Sequence, residues 1–252
     1  MRQSYSVHNY QALMHRWKTL LVGCDLYLQE ISVLDDFPLF EIRTHCQGKE
    51  GLPSLYISAG IHGDEPASSW ALLQWVGKNK KLFQKLSAIL YPCLNPWGMV
   101  NNTRSNQSGQ DMNRIWDDAD SELTRSILPR LHGLSFDLSL TLHEDYDANG
   151  IYLYEPYLGG RNDLVASEIL RAGKKFLPID RRKRIEGRIC KQGIIRPRLS
   201  NLPEDGIPEA IYLVRNHGRR HFTIETPSEE NFVQRVNAQQ EMIDCAIKQL
   251  IK

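Results

Sequence analysis

The apolar run Leu55-Tyr56-Ile57-Ser58-Ala59 breaks at Gly60, and the chain passes through Ile61-His62-Gly63-Asp64-Glu65 to Pro66. From Ala67 to Val76 it then takes on a helical spacing of apolar groups. A short apolar run bounded by Gly reads as a buried strand, and Pro at the head of an amphipathic stretch reads as the first turn of a helix. A strand buried on both faces needs helices on both faces of its sheet. The alternation continues along the chain. Ser87 to Leu94 and Phe136 to Leu142 read as further core strands, and Ile151 to Glu155, Ile211 to Val214 and His221 to Ile224 as shorter ones. Helical patterns fall at Tyr10 to Leu21, Asp120 to Leu131 and Asn162 to Phe176, with Asn162 as an N-cap, and from Ser228 to about Ile251. Leu26 to Val33 and Phe37 to Arg43 form a hairpin around Asp35-Asp36, and Gln47 to Gly51 is a turn. The pattern predicts an α/β three-layer sandwich with a central mixed, largely parallel sheet flanked by helices. No repeat or linker divides residues 1–252, so one domain is expected.

His62 and Glu65 stand three residues apart where the strand gives way to the helix. Imidazole nitrogen and carboxylate oxygen both ligate zinc, and at this spacing the two side chains can converge on one ion. A third ligand is available in Thr141-Leu142-His143-Glu144-Asp145, again at the end of an apolar strand. Two His and one carboxylate leave a coordination position open, the mark of a catalytic rather than a structural zinc. Further along lie Asn95-Pro96-Trp97-Gly98, then Arg104, then Gly109-Gln110-Asp111-Met112-Asn113-Arg114, and finally Thr223-Ile224-Glu225-Thr226-Pro227.

These pieces, in this order, resemble the zinc carboxypeptidase superfamily, the M14 metallopeptidases, which includes the succinylglutamate desuccinylase and aspartoacylase branch. The resemblance runs from roughly Tyr10 to the C-terminus. It implies one zinc per chain held by His62, Glu65 and His143. It implies that Arg104 polarises the scissile carbonyl, that Asn113 and Arg114 grip a substrate carboxylate, and that Glu225 is the general base. The chemistry agrees: a fixed cation stabilises an oxyanion, an Arg fork matches a carboxylate, and a carboxylate relays a proton. Asp111 is expected to orient its loop or a neighbouring side chain. The tyrosine that assists in true carboxypeptidases has no clear counterpart. Tyr212, on a strand expected beside Glu225, and Tyr152 and Tyr154 read as core or pocket-lining aromatics. The Glu144, Asp145 and Asp147 group reads as a solvated turn, with support of the site or a second metal as the sharper alternative. His221, on the strand of Glu225, is the best of the remaining histidines for a peripheral role.

A net charge of +1 supplies no field to collect nucleic acid, and no nucleic-acid or membrane partner is expected. The basic run Arg181-Arg182-Lys183-Arg184, with Arg188, reads as solvated surface that could also attract an anionic substrate. Five scattered cysteines give no disulfide framework, and the N-terminus lacks an apolar signal core, so the expected location is cytoplasmic. The expected function is a zinc hydrolase cutting an amide beside a free carboxylate in a peptide or murein-type peptide. An N-acyl amino acid deacylase uses the same chemistry, and a non-catalytic binding protein could keep the same fold. Pro197 to Pro208 reads as a surface loop.

Overall fold

The computed structural model describes residues 6–45, 51–156, 164–199, 205–218 and 220–251. In chain order the elements are α1 (Tyr10–Leu21), β1 (Leu26–Leu34), β2 (Phe37–Thr44), β3 (Ser54–Ala59), α2 (Pro66–Lys78), β4 (Ser87–Tyr91) and α3 (Pro96–Asn101). There follow α4 (Glu122–Leu131), β5 (Leu138–Asp145), β6 (Tyr152–Tyr154), α5 (Val165–Gly173), β7 (Arg184–Ile185) and β8 (Arg188–Lys191). The last are β9 (Ile194–Ile195), α6 (Glu209–Asn216), β10 (His221–Pro227) and α7 (Phe232–Leu250).

One mixed sheet carries the strands in the order β1-β2-β4-β3-β5-β10-β6-β9-β8-β7. Its centre, β4-β3-β5-β10, is parallel, and antiparallel pairs flank it on both sides. Helices α1, α2, α5 and α7 cover one face around Leu55, Ile57, Leu140 and Ile224. Helices α4 and α6 cover the other around Tyr56, Ile89 and Tyr91. The result is the expected three-layer sandwich.

Strand alternation decides what the second face presents. On β5, Leu138, Leu140 and Leu142 point into the α2/α7 layer, leaving Ser139, Thr141 and His143 on the α6 side. On β10, Phe222 and Ile224 do the same and leave His221, Thr223 and Glu225. The parallel register pairs Thr223 with Thr141 and Glu225 with His143. A polar stripe therefore climbs one sheet face to the C-terminal ends of its central strands, where open α/β sheets carry their sites.

Two expectations change. Ile211 to Val214 is not a strand but the middle of α6; Pro208 precedes the helix and Glu209 stands in its first turn, favoured there by the dipole. A short run of β-branched and apolar residues is the case in which periodicity cannot separate strand from helix, and packing against Trp116 and Leu131 decides it. Tyr212 consequently stacks near Trp116, ring centroids 5.7 Å apart, and not beside Glu225. The final helix begins later than Ser228, because Asn231 caps it by accepting from Val233 N–H and Gln234 N–H. The three short strands β7 to β9, joined by turns with positive φ at Glu186-Gly187 and Gln192-Gly193, were not expected at all. Asn162 and residues 47–50 lie outside the described residues. Among those described, no helix is long and apolar enough to cross a membrane, and Cys24, Cys93, Cys190 and Cys245 are free thiols.

Candidate active site

Beyond Ala59 the chain turns at Gly60, whose φ of +64° suits glycine. The turn delivers His62, and Glu65 follows in the N-cap position of α2, ahead of Pro66. Glu65 does not cap its helix. Its Oε1 lies 2.5 Å from His62 Nδ1 and its Oε2 3.0 Å from His143 Nδ1. One ligand atom from each of the three residues falls within 4.8 Å of the others, and all three residues are buried. Two imidazole nitrogens and a carboxylate oxygen are a zinc donor set, so the residues present fit that ion.

Several partners free Glu65 for this task. The helix-start donor Ala67 N–H is taken by Glu144 Oε1 at 2.7 Å, and Glu144 N–H donates to Glu65 Oε2 at 3.0 Å. The other Glu144 oxygen pairs with Arg235 of α7. Glu144 is therefore a buried brace, not part of a solvated turn. Gln239, also of α7, donates to the His143 carbonyl at 2.9 Å. Gly63 packs so close to α3 that a Cβ there would sit 1.8 Å from the Gly98 carbonyl carbon.

Asp111 joins the set to the neighbouring cations. Its Oδ1 lies 3.2 Å from His62 Nε2, and its Oδ2 accepts from Arg104 Nε at 3.1 Å. Arg104 Nη1 stands 3.7 Å from Glu65 Oε1. The Arg104 carbonyl is held by Asn95 Nδ2 at 3.2 Å, which gives the Asn95-Pro96-Trp97-Gly98 segment a local purpose. Asp111 also accepts from Asn113 N–H at 2.8 Å and fixes the turn that carries Asn113 and Arg114.

The electrostatics follow from burial and from this pairing. Burial disfavours charge on His62, but Glu65 and Asp111 outweigh it and raise its pKa to about 9. Burial likewise opposes ionisation of Glu65, yet His62 and His143 hold its carboxyl well below the ordinary range. Burial, with neighbouring Glu65, Glu186 and Asp145, pushes Glu225 well above the carboxylate range. A dication at the His-Glu-His set would act in the opposite sense.

A cavity of about 320 Å³ opens over these groups and is lined by all seven sequence-predicted site residues: His62, Glu65, Arg104, Asn113, Arg114, His143 and Glu225. Arg114 is held by Asp205, at 2.9 Å from Nε, and by the Asn113 carbonyl. Tyr152 and Tyr154 line the cavity, as expected of pocket aromatics, but Glu186 in its lining was not anticipated from the sequence. Tyr152 donates to Asp145 at 2.9 Å, and Tyr154 donates to Glu186 at the tip of the β7–β8 turn. Glu186 has φ +48°, unusual for a non-glycine residue. His221 does not line the cavity; its Nε2 lies 3.1 Å from the Thr223 hydroxyl beneath it. Among the described residues no other group of potential ligands accompanies the His-Glu-His set, so Glu144, Asp145 and Asp147 form no second metal group.

The family model of the succinylglutamate desuccinylase/aspartoacylase catalytic domain matches residues 51–149. Cytosolic carboxypeptidase 1 of Homo sapiens is 29% identical over 133 residues, which cover 48% of this chain and only 11% of that protein. A candidate metallopeptidase of Shewanella amazonensis SB2B superposes with TM-score 0.86 at 24% identity, covering 97% of this chain and 94% of that one. A metallo-carboxypeptidase of Pseudomonas aeruginosa, in complex with (2-guanidinoethylmercapto)succinic acid, superposes with TM-score 0.65 at 16% identity, covering 98% and 70%. At these identities the structures show a common fold.

Proposed function

We propose that the chain is a member of the zinc carboxypeptidase superfamily and a zinc-dependent hydrolase cleaving an amide bond beside a free carboxylate, a reading supported by the family match, the cytosolic relatives and the shared fold. His62, Glu65 and His143 would hold one zinc per chain. A zinc ion in such a site lowers the pKa of water to near 7 and polarises a carbonyl oxygen. Glu225 takes the proton of the attacking water and returns it to the leaving amine. Arg104 offers a guanidinium to the oxyanion that develops on the former carbonyl. Arg114 and Asn113 receive the substrate carboxylate, the first through its planar fork and the second through its amide N–H. Asp111 keeps His62 in the tautomer whose Nδ1 is free to ligate.

The observation that carries this reading is the register of Glu225 with His143 on adjacent parallel strands. Residues so paired stand about 4.8 Å apart, and both side chains line the same cavity as Glu65 and Arg114. The proposed base and the proposed ligand set are thereby supplied to one space.

The family match favours a second reading of the same chemistry, hydrolysis of an N-acyl amino acid. The matched stretch covers a small part of cytosolic carboxypeptidase 1, so peptide cleavage is equally a proposal here. Free thiols and the cytosolic relatives support a cytoplasmic location. A panel of peptides with free C-termini and N-acyl amino acids, offered to zinc-loaded protein, separates the two. Bound zinc with hydrolysis of neither class would contradict both and favour a binding protein.

A further inference from the structure

One buried carboxyl group stands behind the site and has no part in the hydrolytic scheme. Glu209 opens α6 and is only 1% exposed. Its Oε1 accepts the Tyr56 hydroxyl at 2.6 Å, and the Ser58 hydroxyl is its other polar neighbour. Its backbone N–H donates to Asn113 Oδ1 at 2.9 Å. The segment before it is pressed onto the same turn. Trp116 N–H donates to the Ile207 carbonyl at 3.1 Å, and a Cβ on Gly206 would lie 2.0 Å from the Arg114 carbonyl oxygen. Tyr56 belongs to β3, the strand that leads to His62. Glu209 therefore links the strand before the His-Glu pair, the helix whose Ala210 and Ile211 line the cavity, and the turn bearing Asn113 and Arg114.

We infer that Glu209 is a positioning residue for recognition of the substrate carboxylate, a conclusion that rests on the proposed role of Asn113 and Arg114. The chemistry of the amide requires a donor held in a fixed place. Asn113 has one acceptor oxygen and one NH₂ group, and either could face the cavity. An N–H donor at the start of α6 claims the oxygen and leaves the NH₂ for an incoming anion. That donor is useful only while α6 keeps its place. The Tyr56–Glu209 bond fixes this place in the buried interior, where a lost partner is costly.

The test compares zinc-loaded wild type, Glu209→Ala and Glu209→Gln on a peptide with a free C-terminus and on its C-terminal amide, with KM, kcat and zinc content measured for each. Glu209→Ala should raise KM for the free acid about tenfold to a hundredfold, with kcat and zinc content held, and should barely affect the amide. Glu209→Gln keeps an acceptor for Tyr56 and should restore KM. Should Glu209→Ala not fold, Tyr56→Phe removes the same bond and should show the same selective rise. Wild type that treats acid and amide alike overturns the role of Asn113 and Arg114, and this inference with it. Wild type that discriminates, with variants whose KM is unchanged or whose losses fall equally on acid and amide, overturns the inference alone.

Discussion

Asp111 Oδ1 lies 3.2 Å from His62 Nε2, the ring nitrogen turned away from Glu65. This contact fixes the imidazole orientation and leaves Nδ1 facing Glu65, as the proposed zinc ligand. Carboxylates in that position raise ligand basicity, and their loss weakens metal binding by about tenfold to a hundredfold. Asp111→Asn should therefore weaken zinc binding by that factor, measured by chelator competition. Arg104 loses a partner in the same variant, so turnover at saturating zinc should fall as well.

Zinc uptake should release a proton near neutrality. In the metal-free protein Glu65 and Asp111 outweigh burial and raise His62 to about 9. A ligating imidazole must be neutral. At about pH 7 at least the His62 proton should leave as zinc binds, and affinity should rise by at least about tenfold per pH unit until near pH 9. Calorimetry in two buffers of different ionisation enthalpy measures the proton directly. Zinc binding without proton release would contradict the pairing.

The brace between Glu144 and α7 should matter to stability. Both members of the Glu144–Arg235 pair are nearly enclosed, with side chains 0% and 11% exposed. Removing one partner of a buried ion pair costs up to about 3–5 kcal/mol where the survivor stays charged, and Glu144, which burial pushes up to about 7 even beside Arg235, sheds part of that cost by taking up a proton. Arg235→Ala should show a loss within this bound in chemical denaturation. It should also loosen zinc, because the N–H of Glu144 holds Glu65.

Glu209 should leave a pH signature in stability. Burial, opposed by the Ser58 and Tyr56 hydroxyls, pushes its pKa from 4.5 up to about 7. The folded state then binds the proton more tightly than the unfolded chain. The stabilising contribution is complete below the unfolded pKa and is lost as pH rises through the folded one, a change of roughly 3 kcal/mol. The stability difference between wild type and Glu209→Gln should thus decline between about pH 4.5 and pH 7. Denaturation curves at both ends of that window measure it, and a flat difference would contradict a neutral buried carboxyl.

What the sequence made legible was local. His62, Glu65, His143 and Glu225 stand at strand ends, where an apolar run stops and a proposed ligand or base follows, and strand periodicity puts His143 and Glu225 on one face. The residues that brace them were not legible. Arg235 reaches Glu144 across 91 positions and Gln239 reaches His143 across 96, pairings set by the docking of α7. Helix α6 was hidden because Ile211-Tyr212-Leu213-Val214 has the composition of a strand. The β7–β8 turn was hidden inside a basic run, since Glu186-Gly187 lacks the Asn or Asp that usually announces such a turn.

The most direct measurement is turnover by Glu225→Gln, with zinc stoichiometry determined on the same sample, using whichever peptide or N-acyl amino acid the wild type hydrolyses best. One zinc per chain is expected, with a rate reduced by about a hundredfold to ten-thousandfold. Near-normal turnover by this variant with zinc in place would contradict Glu225 as the base.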